Sequence, residues 1–432
     1  MLKIIFHRGR QFIKTQPDTF NYGMDGLLTV GALSIAANNN NLFAQRLGAT
    51  DFQLTLLQFF PHLLAILILI PAGIFVGSLQ NKRKVISLML LLTGIFFVVI
   101  SVSAFVPTGV AVFFFLIFFA MASVSINGMY NITWQAFFPE VVPEEKRNNV
   151  LTFRTRMNMI VSLIVPLAVG GILTSIPSME GKIAAHQIFY ASAALFLFAN
   201  AYHFRKIKTK TPADPKRISF TELKTALIRL KSNKAFIIFT SVVLFFHMTW
   251  HIDWTLFFIA QANYLLMNEL SLALVPVSGM IAQLLTLKFW SKNNIKQGID
   301  LPIVYSIAGL VFLPFALILA LNLPSPFGVI SLVVLHFFSQ LTFANLSLNL
   351  FQCLLKVVDE EYRSLSISVY VCIITLSNAI MPMVGVLIYT ALGGTALALQ
   401  ITFVGIALLR IVAAGLWMLR LRSHTHGFAT SS

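Results

Sequence analysis

VVPEEKR at 141–147 and VVDEEYR at 357–363 are near-copies, set 216 positions apart in a chain of 432 residues. That offset is half the chain, and other residues keep the same register: Gln45 with Gln261 and Pro166 with Pro382 at 216, Pro61 with Pro276 at 215. A long internal period has to be read before any motif, because it sets the unit that folds. Each string is a short charged stretch between two long apolar runs. The repeated unit is therefore a set of hydrophobic segments joined by polar loops, and the chain reads as a polytopic, all-helical membrane protein built of two parallel repeats.

Hydrophobic residues make up 57% of the chain and charged residues 11%, with a mean hydropathy of +0.83. Soluble domains lie nearer half apolar and a quarter charged. Apolar runs of roughly 18–25 residues recur, each long enough to cross about 30 Å of hydrocarbon as a helix. Twelve such spans are expected, at about 22–43, 52–76, 85–106, 109–131, 157–177, 186–204, 235–260, 271–289, 301–323, 326–348, 367–391 and 395–418. Barrel strands would give short alternating segments instead. The expected organisation is a six-helix bundle over 1–204, a cytoplasmic linker over 205–234, and a second six-helix bundle with a short tail over 235–432.

The net charge of +16 suggests nucleic-acid binding until its placement is considered. If the N-terminus is cytoplasmic, 29 of the 31 Lys and Arg residues fall on the inner side or within the last span, and only Arg46 and Lys182 fall outside. This is the positive-inside pattern, with both termini in the cytoplasm. The basic residues orient the protein and attract anionic headgroups, so the lipid bilayer is the expected partner and nucleic acid is not. The setting expected is the plasma (inner) membrane of a bacterium, with the protein as a monomer. The basic stretch MLKIIFHRGRQFIKTQ reads as an interfacial segment. Ser219 and Glu222 have capping-box spacing ahead of Leu223, Ala226, Leu227 and Leu230, which predicts a short amphipathic helix in the linker. Cys353 and Cys372 form no metal or disulfide pattern, and neither a cofactor nor a metal is expected.

Twelve spans, a six-plus-six parallel repeat and a long basic central loop resemble the major facilitator superfamily along nearly the whole chain. After the second span that family carries a glycine, an aspartate and a basic cluster. Here PAGIFVGSLQNKRK at 71–84 keeps Gly73 and the basic Lys82, Arg83 and Lys84, while Gly77 stands in place of the aspartate. The fifth span holds VPLAVGG with Pro166, Gly170 and Gly171, similar to the proline–glycine motif of the drug–proton antiporters with the spacing off by one. The fourth-span arginine common in proton-coupled members has no counterpart. The resemblance implies that the first, fourth, seventh and tenth spans line a central cavity with the substrate site near its midplane.

The seventh span answers that expectation most clearly. At about 100° per residue, His247, Trp250, His251 and Trp254 fall within an arc of about 100°. Ionisable residues deep in a membrane default to a functional role, and two tryptophans flanking two histidines suit an aromatic, cationic or otherwise flat organic ligand. The alternative is a pair of neutral histidines bonded to neighbouring helices. Asp253 lies at the edge of the arc and is a proton carrier, together with His247 and His251, or half of a structural salt bridge, or a residue turned outward near the headgroups. Arg410 either snorkels or pairs. In the tenth span His336 and Gln340 share a stripe with Phe343 and Ser347, and in the fourth Asn127 and Asn131 share one. The run Asn38 to Asn41 points all round a helix, so it marks local unwinding at a binding site or an early end to the first span. Asp25, near the inner end of that span, reads as structural.

Glu144, Glu145 and Arg147 in the first repeated string match Glu360, Glu361 and Arg363 in the second. They are either a cytoplasmic gate of charge contacts or solvated turns kept by the duplication. The function expected is secondary active transport of a small organic solute by alternating access, with H⁺ or Na⁺ as the coupling ion. No phosphate-binding glycine loop is present, and no nucleophile–base or metal constellation suggests an enzyme. A transporter-like receptor or scaffold and a lipid translocase are the rival readings.

Overall fold

The computed structural model describes residues 17–36, 39–77, 79–207, 228–358 and 363–429, and no strand occurs among them. The expected interfacial segment, most of the linker helix, Asn38, Glu360 and Glu361 lie outside the described residues. The chain separates into two compact units, one of Met1–Thr50 and Leu64–Ile218, the other of Asp51–Leu63 and Ser219–Ser432.

The first unit contains α1 (Pro17–Ala36), α2 (Asn40–Arg46), the later part of α3 (Asp51–Gly77) and α4 (Lys82–Ser101). It continues through α5 (Thr108–Ser123), a π-helical segment at Val124–Tyr130, α6 (Asn131–Val141), α7 (Glu144–Ser175) and α8 (Met179–Phe204). α1 packs along α7 and α8, and α4 along α8 and α5. The second unit contains α9 (Lys234–His251), α10 (Trp254–Ile259), a π-helical segment at Ala260–Tyr264, α11 (Glu269–Gln297) and α12 (Asp300–Leu321). α13 (Phe327–Gln340), α14 (Ala344–Val357), α15 (Arg363–Ala391) and α16 (Ala396–Ala429) complete it. There α9 packs on α15 and α16, and α12 on α16 and α13.

Local chemistry sets the helix starts. The side chains of Asn81, Ser178, Asn233 and Asn268 accept from the backbone N–H groups of Lys84, Gly181, Phe236 and Ser271, which satisfies donors that the first turn leaves open. Among the described residues, eleven helical stretches are long and apolar enough to cross a membrane. Leu67, Ile164, Leu285 and Leu397 are each at least 60% exposed, a cost in water that a hydrocarbon environment removes. The interiors are close-packed and aromatic: Tyr190 meets Phe43, Phe97 and Phe115 in the first unit, and Phe239 meets Trp417 and Tyr370 in the second.

Several spans differ from the expected straight runs. The run at 22–43 is divided between α1 and α2. The run at 109–131 continues to Val141 through a π-helical segment, and the run at 326–348 is interrupted at 341–343 and continues to Val357. The run at 235–260 breaks at Ile252 and Asp253. Apolar periodicity reports where a segment is buried in lipid but not where its backbone changes pitch.

The break at Ile252 fixes how closely α15 approaches. A Cβ built on Gly385 would lie 2.0 Å from the Ile252 carbonyl oxygen, whereas one on Gly405 of α16 would meet nothing within 4 Å. Gly385→Ala should therefore lower the apparent Tm of the detergent-purified protein, since overpacking a tight contact typically costs about 1–3 kcal/mol. Gly405→Ala should leave it unchanged or slightly raised, because alanine is the better helix former. Equal Tm values for the two variants would contradict this account of the contact.

Candidate functional site

The interruption after His251 leaves α9 carbonyls without their usual partners four residues on. Met248 still accepts from the Ile252 N–H at 3.2 Å, and α10 begins with Phe257 donating to the Asp253 carbonyl at 2.6 Å. Two of the carbonyls between them are met by a side chain from α16. Arg410 Nε donates to the Thr249 carbonyl at 3.1 Å and Nη2 to that of Trp250 at 3.5 Å, while Nη1 donates to Leu310 of α12 at 2.8 Å. Its charge is balanced by Asp253, whose Oδ2 accepts from Nη2 at 2.6 Å. Arg410 is fully buried and Asp253 is 3% exposed. Of the two alternatives for Arg410, the structure has it paired. The wheel placement of Asp253 at the edge of the aromatic arc fails because the residue lies in the break, not on a continuous helix.

The stripe read from the α9 sequence is a contiguous cluster. His247 and His251 have ring centroids 5.2 Å apart, Trp250 and His251 5.4 Å, and His251 and Trp254 4.6 Å. Trp250 stacks on Phe246 at 5.9 Å and meets Phe343 edge-on at 5.1 Å. His247 Nδ1 donates to the Val243 carbonyl at 2.9 Å, which can only accept, so Nδ1 carries the hydrogen, and in the neutral form of the ring Nε2 is an acceptor. His251 Nδ1 lies 3.1 Å from the Ser377 hydroxyl of α15. Both histidines are buried and both tryptophans half-buried. The indole N–H groups make no hydrogen bond among the described residues, which leaves two donors and an imidazole acceptor on one aromatic face.

Phe343 joins this cluster, whereas His336 and Gln340 turn to α11. His336 Nδ1 is 3.4 Å from Ser278, and Gln340 accepts from Gln283 at 3.1 Å. Gly279 lets them in, since a Cβ there would lie 2.6 Å from His336 and 2.9 Å from Gln340. The interruption at 341–343 parts Phe343 from His336 and Gln340, which share one stripe on a continuous helical wheel.

In the first unit, Asp25 organises the interior, and it is fully buried. Its Oδ1 accepts from Tyr130 at 2.7 Å and Asn200 at 3.0 Å, and its Oδ2 from Trp134 at 3.0 Å and Arg154 at 3.3 Å. Arg154 also lies 4.2 Å over the Trp134 ring. Asn40 accepts from the Tyr190 hydroxyl, so one asparagine of the 38–41 run is engaged inside the unit, while Asn41 is half-buried. Asn127 is exposed along a cavity edge, and Asn131 donates to the Asn127 carbonyl at 3.3 Å. Among the expected gate residues, Arg147 bonds the carbonyls of Val142 and Pro139, closing the end of α6. Glu144 and Glu145 lie in the first turn of α7 and Arg363 begins α15. Among the described residues, no three His, Cys, Asp or Glu side chains converge on a metal position.

Removing one member of the Arg410–Asp253 pair strands the other charge. Asp253→Asn and Arg410→Met are each expected to cost about 3–5 kcal/mol, the range for breaking a buried pair. The double variant should recover part of that loss, because no buried charge then remains. Chemical denaturation of the detergent-purified protein checks this, and a double variant as unstable as the sum of its parts would count against the pairing.

The model of the Major Facilitator Superfamily matches residues 20–354 of the chain. No curated protein sequence matches it. Among solved structures, a bacterial homologue of the iron transporter ferroportin in an inward-facing state superposes with a TM-score of 0.73 at 11% identity, covering 94% of this chain and 98% of that one. A nucleoside transporter gives 0.69 at 15% identity over 94% and 99%, and a D-xylose–proton symporter 0.66 at 15% over 92% and 96%. With a family match that spans most of its length and a shared fold, this chain belongs to the Major Facilitator Superfamily of membrane transporters.

Proposed function

We propose that the protein is a secondary active transporter that moves a small organic solute by alternating access, using two parallel six-helix repeats and twelve spans. The observation that carries this reading is the interrupted seventh span, where His247, Trp250, His251, Trp254 and Phe343 gather beside a break braced by Arg410. Broken helices at corresponding positions of two halves point to the binding and moving parts of a transporter. α2 starts at Asn40 after Asn39, and α10 at Trp254 after Asp253, 214 positions apart. Adding 216 to Val124–Tyr130 gives 340–346, which contains the interruption at 341–343. The pairing of α1 with α7 and α8 matches that of α9 with α15 and α16, which supports the duplication.

In this reading the aromatic face of α9 recognises the solute, and the two histidines carry the coupling proton, while Asp253 stays committed to Arg410. Both termini are cytoplasmic, in keeping with 29 of 31 basic residues on the inner side or in the last span, and the protein works as a monomer in a bacterial inner membrane. The inner strings 141–147 and 357–363 serve the gate.

The test begins with a thermal-shift screen of the purified protein against metabolites and drugs, followed by uptake of the hit into proteoliposomes under an imposed pH gradient. Uptake should follow the gradient and collapse with a protonophore. His247→Gln/His251→Gln should lower gradient-driven accumulation about tenfold, a typical coupling energy, while exchange at equal pH persists. Trp250→Ala should weaken the thermal shift itself. A hit that stabilises the protein yet never crosses the membrane would favour a receptor and sink the transport reading.

A further inference from the structure

A half-open cavity of about 290 Å³ is lined by residues of the first unit, from α1, α4, α5, α7 and the π-helical segment. Phe97 and Phe119 supply apolar wall, and Ser34, Ser123, Ser162 and Asn127 supply polar edge. Several helical hydroxyls elsewhere in this unit bond their own backbone: Thr93 to Met89 at 2.7 Å, Ser125 to Met121 at 2.9 Å and Thr133 to Met129 at 2.6 Å. The four polar side chains of the cavity make no such bond, nor any other among the described residues. Ser34 and Ser123 are only 5% and 9% exposed. Both residues line the cavity, so their hydroxyls are available to a molecule held in it.

The chemistry of the lining limits what that molecule is. No charged side chain borders the cavity, and Asp25 and Arg154 of the same unit are bonded to each other. An ion would lose its hydration with no counter-charge to replace it. Serine hydroxyls and an asparagine amide both donate and accept, while phenylalanine walls favour an apolar body. The volume is roughly that of ten water molecules at about 30 Å³ each. The π-helical segment contributes to the shape, since such bulges displace a helix wall and recur at functional sites.

We infer that this cavity binds a small uncharged molecule with an apolar body and one edge that both donates and accepts hydrogen bonds, such as a primary amide. Calling that molecule cargo rests on the transport reading above; the site itself does not. Four near-isosteres separate the possibilities on the full-length protein in nanodiscs: benzamide, benzoate, benzylammonium and toluene, followed by saturation-transfer NMR and titration calorimetry. Benzamide should bind saturably, and the two ions and toluene at least about tenfold more weakly, the worth of one well-made hydrogen bond. Asn127→Leu and Ser123→Ala should each weaken benzamide about tenfold. Asn127 is exposed, so its variant tests the site without disturbing a packed core. Benzoate or toluene binding as tightly as benzamide, no saturable benzamide binding, or wild-type affinity in both variants would overturn the proposal. Binding is read without any gradient, so a failure of transport leaves this result standing, and a failure of binding leaves transport to be judged by itself.

Discussion

A membrane interior offers backbone groups no water, so every carbonyl and N–H must find its partner inside the protein. The second unit depends on that constraint at one place. The break after His251 separates the α9 carbonyls from their partners, and the guanidinium of Arg410 takes those of Thr249 and Trp250. A buried guanidinium needs a counter-charge, which Asp253 supplies from within the break itself. The Ile252 carbonyl then needs room, which Gly385 gives by lacking a Cβ. One interruption thus accounts for the acid, the base and the glycine together. The His–Trp cluster inherits its geometry from them, since Trp250 is held by its own carbonyl and by Phe246 and Phe343.

The first unit meets a similar demand by other means. Asp25 collects four donors from the π-helical segment, α6, α7 and α8. Under the 216 shift, Asp25, Arg154 and Asn200 fall on Ser241, Tyr370 and Leu416. The two ion pairs are therefore not copies of each other, although the helices that pack together correspond. Helix pairing depends on broad apolar faces, which tolerate substitution. An internal ion pair depends on single residues, each free to be replaced once its partner is gone.

What could be read from the sequence divides along the same line. Long apolar runs and the half-chain offset were visible because they are averages over many residues. The His247–Trp250–His251–Trp254 stripe was visible because residues three and four apart on one unbroken helix share a face. Asp253 was misplaced because a helical wheel assumes a constant pitch, and the pitch fails at that residue. Its pairing with Arg410, 157 positions away, has no local spacing to reveal it. The only signal was position: Asp253 and Arg410 each lie well inside an apolar run, whereas Asp25 and Lys288 lie near the ends of theirs. Asp25 reads as structural from the sequence, but its donors do not show there, since they come from four segments. Ser34, Ser123 and Ser162 form no periodic pattern, and only the fold brings them to one cavity.

The two units use their charges in the same way despite different partners. Asp25 with Arg154 and Asp253 with Arg410 leave each pair neutral within its own unit. Paired charges of this kind hold helices together but offer little to an incoming ion, because each already faces its counter-charge at short range. What remains uncommitted is of another type: indole N–H groups and an imidazole nitrogen in the second unit, hydroxyls and an amide in the first. Such groups discriminate by hydrogen-bond pattern and shape. A site built to bond a donor or acceptor rejects a ligand lacking it more strongly than an apolar pocket rejects a misfit methyl group. In the transport reading proposed above, specificity therefore falls to neutral polar and aromatic groups, and the ion pairs set the frame on which those groups are held.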